Sequence, residues 1–138
     1  MESVGECLFC QESFYKDRII AENKSWYAVC DGYPVTQWHT LIIPKRHVRS
    51  IFKLNIIEFM QLSQILLTVK RILSENAQTE HFNIGINDGE YAGQTIPHLH
   101  IHLIPRHKGD GGLPCGVRNV FPQDIANYKE KSDKSVAI

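Results

Sequence analysis

The chain has 138 residues, with 15 Lys and Arg against 15 Asp and Glu, so its formal charge is zero when its 7 histidines are neutral. This balance argues against unspecific binding to nucleic acid or to a membrane surface, because both need a basic surplus. The length predicts one domain over residues 1–138. Its predicted elements form a core at about 7–107, and the Gly-rich, polar composition that follows predicts an irregular C-terminal tail at 108–138.

A short helical turn is predicted within residues 7–16. After it, apolar alternation and turn residues predict a set of short strands. The predicted strands cover residues 18–21, 25–30, 39–44, 81–87 and about 98–106. Antiparallel strands beside one long helix indicate an α+β fold.

The long helix is predicted from about Ile56 to Ser74. Asn55 is a good N-cap, and Glu58 stands at the third helical position, as in a capping box. Apolar residues at helical spacing predict a stripe that packs on the sheet. The stripe consists of Ile56, Ile57, Met60, Ile65, Leu66, Val69, Ile72 and Leu73.

Three histidines, His98, His100 and His102, alternate with aliphatic residues at period two. In a strand they share one face at a spacing of about 6.6–7 Å, while the aliphatic residues between them face a core. Imidazoles titrate near neutrality, exchange hydrogen bonds and bind metals. Three of them in register therefore indicate a functional site.

Polar residues upstream of the histidines predict a pocket for an anion. Gln94 and Thr95 follow Gly93 just before the triad, and Asn87 ends the preceding strand. If they converge with His100 and His102, the pocket is rich in donors and nearly free of carboxylates, which suits a phosphate. A neutral imidazole can attack phosphorus, and a second histidine can stabilise the phosphoryl oxygens.

Cys7 and Cys10 form a Cys-x-x-Cys pair, which is half of a tetrahedral metal site. His47 and one triad histidine are candidates for the other two ligands, and two ordinary thiols are the alternative. The N-terminus lacks the features of a signal peptide, and no apolar run approaches the roughly 20 residues of a membrane span. We therefore expect a cytoplasmic protein with reduced thiols, in which Cys30 and Cys115 are ordinary cysteines.

Residues 87–106, NDGEYAGQTIPHLHIHLIPR, resemble the signature of the histidine triad family of nucleotide hydrolases and transferases. Residues 35–47, VTQWHTLIIPKRH, resemble a second block of that family, and the Cys7–Cys10 pair resembles its zinc-carrying members. The resemblance covers about residues 7–107. It implies an antiparallel sheet of about five strands, one long helix and a homodimer with a continuous sheet.

The resemblance also implies site roles. His100 would attack the α-phosphorus of a nucleotide, and a group of polar residues would position the phosphate. That group is His102, Gln94, Thr95 and Asn87. Asp31 would bind the ribose hydroxyls, and Val29 and Phe9 would enclose the base, with a purine favoured.

A structural zinc ion is implied by the same resemblance, with no organic cofactor. Its implied ligands are Cys7, Cys10, His47 and His98. The chain departs from the family at Trp38, where a bulky side chain is expected to reshape a pocket wall or contact surface. It also departs at Gly32, which removes a base contact, and at Pro97, which biases Ile96 to an extended conformation.

The favoured function is hydrolysis or nucleotidyl transfer at the α-phosphate of dinucleoside polyphosphates or nucleoside phosphoramidates, through a nucleotidyl-histidine intermediate. One alternative is a metal-dependent hydrolase in which the triad ligates a catalytic metal. Another is a nucleotide-binding protein without catalytic activity.

Overall fold

A computed structural model describes residues 6–111 and residue 116. Five strands form one antiparallel sheet in the order β1-β2-β3-β5-β4. The strands are β1 (Ile19–Glu22), β2 (Trp26–Cys30), β3 (Thr40–Pro44), β4 (Phe82–Gly85) and β5 (Ile101–Pro105). This architecture confirms the predicted α+β fold with a five-stranded antiparallel sheet.

Two helices accompany the sheet, the short α1 (Glu12–Tyr15) and the long α2 (Ile56–Ala77). Single 3-10 turns lie at Leu8–Cys10, Ile51–Lys53 and Glu90–Ala92. Among the helices of the described ranges, none has the length and apolar character needed to cross a membrane. The predicted tail from residue 108 lies mostly outside the described residues, as does Cys115.

Each face of the sheet is covered by its own apolar cluster. On one face α2 packs through Ile65, Val69 and Leu73 against an apolar cluster that includes Leu99, just before β5, and Ile101 and Leu103 within it. The N-terminal segment covers the other face. Its cluster consists of Cys7, Phe9, Tyr27, Val29, Leu41 and Ile43. The triad histidines emerge on this second face, which places them beneath the N-terminal segment.

The triad residues keep the predicted alternation, but the strand ladder starts later than predicted, at Ile101. The amide of His98 donates to the carbonyl of Ile96 just after Pro97, which makes a tight bend, and the amide of Leu99 donates to the carbonyl of Val48. His98 and His100 therefore precede the ladder, with His98 still in the bend. This position brings the triad next to the segment that follows His47.

The first turn of α2 corrects the predicted core stripe. Ile56, Ile57 and Met60 are 72%, 58% and 63% exposed. Glu58 is buried in their place, because it completes the capping box with Asn55. The Arg46 guanidinium also donates to both oxygens of the Glu58 carboxylate, at 3.1 and 2.9 Å. The paired carboxylate, rather than the apolar stripe, therefore fixes where the helix begins.

We predict that Glu58→Gln lowers the free energy of unfolding at pH 7 by about 1 kcal/mol. The hydrogen bonds from Arg46 lower the pKa of Glu58 below 4.5, against the effect of burial, and the Asn55 amide adds to the lowering. A lowered pKa stabilises the fold above pH 4.5, and that contribution disappears as the pH falls through the folded-state value. Urea unfolding from pH 7 to pH 3 should show the two proteins converging in acid.

The matched control is Glu75→Gln, at an exposed position of the same helix. It should leave the free energy of unfolding within about 0.5 kcal/mol of the parent. A Glu58→Gln protein as stable as the parent at pH 7 would contradict the role given to this carboxylate.

Candidate active site and metal centre

The three triad histidines have three different sets of partners. His98 faces two cysteines and His47, His100 bonds to a backbone carbonyl, and His102 bonds to His39. The rings of His100 and His102 still lie side by side, with centroids 5.2 Å apart. The triad thus contributes His98 to a cluster of possible metal ligands at one end and His100 and His102 to a pocket at the other.

The cluster brings together four side chains from distant parts of the sequence: Cys7, Cys10, His47 and His98. Their candidate ligand atoms all lie within 4.8 Å of one another. The Cys10 Sγ lies 3.2 Å from His47 Nδ1 and 3.4 Å from His98 Nδ1. The Cys7 Sγ lies 3.4 Å from His98 Nδ1, and the two Nδ1 atoms are 3.2 Å apart.

These atoms fit a tetrahedral zinc site. Zinc–sulfur and zinc–nitrogen bonds of ordinary length place neighbouring ligand atoms about 3.3–3.8 Å apart. The Nε2 of His98 donates to the carbonyl of Pro44 at 2.8 Å, which leaves Nδ1 unprotonated and turned to the cluster. Burial lowers the pKa of His98 to about 4, so its ring is neutral, as a metal ligand must be.

His100 is held in one tautomer by the backbone. Its Nδ1 lies 2.9 Å from the carbonyl oxygen of His98. A carbonyl can only accept, so Nδ1 carries the proton and Nε2 keeps its lone pair. Burial lowers the pKa of His100, against the effects of that hydrogen bond and of Asp31. A neutral ring with an available Nε2 is the form that can act as a nucleophile.

A chain of hydrogen bonds fixes the tautomers of His39 and His102 in the same way. The amide of Val35 donates to His39 Nδ1 at 3.0 Å, so His39 carries its proton on Nε2. That Nε2 lies 2.9 Å from His102 Nδ1, which must therefore accept. Burial, with the neighbouring His100 and His39, lowers the pKa of His102 to about 4. Neutral His102 thus carries its proton on Nε2.

Asp31 places a carboxylate beside the triad, which corrects the expectation of a pocket nearly free of carboxylates. Its Oδ2 lies 3.4 Å from His39 Nε2 and 4.0 Å from His102 Nδ1. The amide of Asp31 donates to the carbonyl of His39, so the end of β2 and the start of β3 bring the pair together. The other carboxylate oxygen accepts from the amide of Tyr33.

A pocket of about 640 Å³ opens over His100 and His102. This volume lies within the range of ligand sites for small molecules. Of the predicted substrate residues, it is lined by Phe9, Asp31, Asn87 and Thr95. Phe9 meets the ring of His100 edge-on, with centroids 5.1 Å apart, so an aromatic wall stands beside the nucleophile candidate.

Two of the residues predicted for the substrate pocket do not line it. Val29 is fully buried in the apolar cluster beneath the N-terminal segment, because its side chain points into that core. The side-chain amide of Gln94 is hydrogen-bonded to neighbouring backbone groups. Its Oε1 accepts from the amide of Gly89, and its Nε2 donates to the carbonyls of Arg49 and Ile96.

Several pocket residues were missed by the sequence reasoning. Tyr33 lies at the rim and is 93% exposed, and Arg18 brings a cation that sits 5.2 Å from the centroid of Phe14. The other additions are Leu8, Phe14, Pro34, Val35, His39, Leu41 and Ile96, while Gly32 and Gly93, which also line the pocket, were expected beside it. For His39 a signal existed, since it stands in the second resembling block. For the apolar residues no local pattern distinguishes a pocket wall from core.

The unusual Trp38 does not reshape the pocket, since its side chain packs against the core cluster on the α2 side. Its φ of 72° is a left-handed conformation that most residues avoid, which explains why a small residue is usual here. At the neighbouring departure, Gly32, a Cβ would meet nothing within 4 Å. Because Gly32 has no side chain, the space beside Tyr33 is open.

A second cavity, of about 700 Å³, lies at the far end of β5, where Arg106 and His107 follow the strand. Its lining includes none of the triad histidines and none of the cluster residues. The triad and the cluster therefore lie apart from this cavity.

The chain belongs to the HIT family, because a sequence model of the HIT domain matches residues 13–109. A relative from Schizosaccharomyces pombe, bis(5'-nucleosyl)-tetraphosphatase [asymmetrical], is 39% identical over 97 residues, which are 70% of this chain and 50% of the relative. The chain thus spans half the length of that enzyme.

Solved structures agree with this assignment. A HIT family protein from Bacillus anthracis is 29% identical and has a TM-score of 0.73, with 94% of this chain and 99% of that chain covered. A zinc-bound histidine triad family protein from Mycobacterium smegmatis is 30% identical and has a TM-score of 0.67, with 78% and 80% covered. The fold of the HIT family is therefore shown for this chain.

Proposed function

We propose that the protein is a nucleotide hydrolase or nucleotidyl transferase that cleaves at the α-phosphate of a nucleotide through a covalent intermediate on His100. The observation that carries this proposal is the hydrogen bond from His100 Nδ1 to the His98 carbonyl. It leaves the Nε2 lone pair available in a pocket large enough for a nucleotide.

In the proposed first step, the His100 Nε2 lone pair forms a bond to the α-phosphorus, and the bond from phosphorus to the leaving group breaks. The leaving group keeps that electron pair. The Nε2–H of His102 donates to a non-bridging phosphoryl oxygen, and Asn87 and Thr95 bind the phosphate from the loop side. In the second step water forms a bond to phosphorus, the phosphorus–Nε2 bond breaks with its electron pair returning to Nε2, and the nucleoside monophosphate leaves while the proton of the water passes to solvent.

The remaining pocket residues receive binding roles in this proposal. Asp31 serves the ribose hydroxyls and also orients His39, since its Oδ2 lies 3.4 Å from the ring. Phe9 forms one wall for the base, and a purine is the expected base. Gln94 receives a positioning role, because its amide already has three backbone partners.

The substrate class rests on the relatives. The name of the S. pombe relative supports dinucleoside polyphosphates, and a nucleoside phosphoramidate offers the same α-phosphate. Cytoplasmic location stays a prediction.

A catalytic metal is the second candidate, because Asp31, His39 and the triad residue His102 bring three possible ligand atoms within 4.8 Å of one another. The tautomers disfavour it. The Val35 amide occupies His39 Nδ1, so a metal on Nε2 would require a doubly deprotonated ring. Within the triad, His98 is also separated from His100 and His102, since it faces the cysteine cluster.

We predict that His100→Ala lowers turnover of diadenosine tetraphosphate by about 10³-fold or more, because the attacking atom is lost. AMP should still bind, since the rest of the pocket is kept. Stopped assays for AMP release and calorimetry for AMP binding check the two parts.

The control is His81→Ala, which removes an exposed imidazole outside the pocket. Its turnover should equal that of the parent. Retained turnover in His100→Ala would contradict the proposed nucleophile. A parent that binds AMP but turns over neither a dinucleoside polyphosphate nor a phosphoramidate would favour a binding protein without catalytic activity.

We also propose that the Cys7–Cys10–His47–His98 cluster holds a structural zinc ion. Four protein ligands leave no coordination position for substrate. Zinc would bind two thiolates and two neutral imidazoles, and it would fix the N-terminal segment on the triad.

We predict about one zinc ion per chain by elemental analysis. Cys10→Ser should lose most of the metal and melt several degrees lower, because binding energy at a structural site is folding energy. Cys30→Ser is the matched control, since Cys30 ends β2 outside the cluster. A fully folded, metal-free parent of unchanged melting temperature would contradict this assignment.

A homodimer through the free edge of β4 is proposed from the family resemblance. In the sheet order β4 is an edge strand, and its Ile84 is 52% exposed. Paired edges would continue the sheet and cover this residue. Light scattering should give twice the chain mass, and Ile84→Pro should lower it toward the monomer. A monomeric parent at micromolar concentration would contradict the proposal.

A further inference from the structure

The segment that follows His47 makes hydrogen bonds from four consecutive residues to the triad segment and the pocket loop. The carbonyl of Val48 accepts from Leu99, between His98 and His100. The carbonyl of Arg49 accepts from the Gln94 side chain at 3.0 Å. The remaining two bonds go to one carboxylate oxygen of Asp88, from the Ser50 hydroxyl at 3.0 Å and from the Ile51 amide at 2.8 Å.

Asp88 and Gln94 bracket the loop that carries the phosphate-side residues of the pocket. Gly89 and Gln94 pair in both directions, since the Gly89 amide donates to the Gln94 side chain and the Gln94 amide donates to the Gly89 carbonyl. This pairing closes the loop around the turn at Glu90–Ala92. The loop is thus a small closed unit, and the side chains of Asp88 and Gln94 make three hydrogen bonds to the segment after His47.

The pocket residues lie between and beside these attachments. Asn87, Gly93 and Thr95 line the pocket, and each is adjacent in sequence to Asp88 or Gln94. At Gly93 φ is +93°, and a Cβ there would lie 3.8 Å from the Asn87 amide nitrogen. The placement of Asn87 therefore depends on how the loop is held.

We propose that Asp88 and Gln94 are positioning residues that couple the metal centre to the phosphate side of the pocket. A metal ion bound by His47 and His98 would hold residues 48–51 in place. The hydrogen bonds of Asp88 and Gln94 to that segment would then hold the loop in place as well. The proposal rests on the proposed function for the identity of the ligand. Such coupling is reciprocal. If bound metal raises the affinity for nucleotide by some factor, bound nucleotide must raise the affinity for metal by the same factor.

The experiment measures how fast a chromogenic chelator removes zinc from the loaded protein, with and without saturating AMP. In the parent, AMP should slow removal by about fivefold or more. Asp88→Ala and Gln94→Met should reduce that effect to less than about twofold, because each removes bonds to residues 49–51. Asp88→Asn should restore it, since the amide oxygen can still accept from Ser50 and Ile51.

The matched control is Gln61→Met. The Gln61 side chain also accepts from a backbone amide, that of Ser25, but on α2 and away from the pocket. This variant should behave as the parent. Equal removal rates with and without AMP in a parent that binds AMP would overturn the proposal, as would full coupling in Asp88→Ala and Gln94→Met.

A measurement without nucleotide separates this proposal from the proposed function. Amide hydrogen exchange at residues 89–96 should become about fivefold faster when zinc is removed from the parent. In Gln94→Met the same amides should already exchange fast with zinc bound. If AMP does not bind, the proposed function fails and exchange alone decides the coupling. Unchanged exchange in the parent on zinc removal would overturn it.

Discussion

The hydrogen bond from His100 Nδ1 to the carbonyl of His98 is the constraint on which the site depends. It ties the ring to the backbone of the triad itself, two residues earlier, so the ring cannot rotate without losing a buried bond. It also decides which nitrogen faces the pocket. An imidazole held this way needs no external base to present a lone pair, since its proton is already on the other nitrogen.

The histidines on both sides of His100 also have tautomers that are fixed by hydrogen bonds. Toward the cluster, His98 donates to the Pro44 carbonyl and turns its free nitrogen to the cysteines. Toward the pocket, the Val35 amide fixes His39, and His39 fixes His102. His39, His98 and His100 thus receive their tautomers directly from backbone groups, and His102 receives its tautomer through His39. Burial keeps the rings neutral, so these assignments hold near neutral pH.

Local patterns predicted much of this structure. The period-two histidines, the Asn55–Glu58 capping box and the Cys-x-x-Cys pair each describe residues that are close in sequence. The structure places Cys7, Cys10, His47 and His98 together as the resemblance implied. The capping box was found with both of its hydrogen bonds.

What failed depends on contacts between distant segments. The first apolar turn of α2 is exposed because Arg46, from another segment, stabilises a buried Glu58. Gln94 was expected on the phosphate, but Arg49 lies close enough to occupy its amide. Asp31 was expected at the ribose, but its position beside the triad was not foreseen, because Asp31 meets His39 only when β2 and β3 pair. No spacing within one segment contains such information.

The tautomer of His100 can be read directly from a long-range ¹H–¹⁵N correlation spectrum of the imidazoles at pH 7, with His100→Ala used for assignment. We expect His100 to be neutral, with its proton on Nδ1 and an unprotonated Nε2. A His100 ring protonated on Nε2 would contradict this expectation, because the atom assigned to attack phosphorus would then have no lone pair to offer.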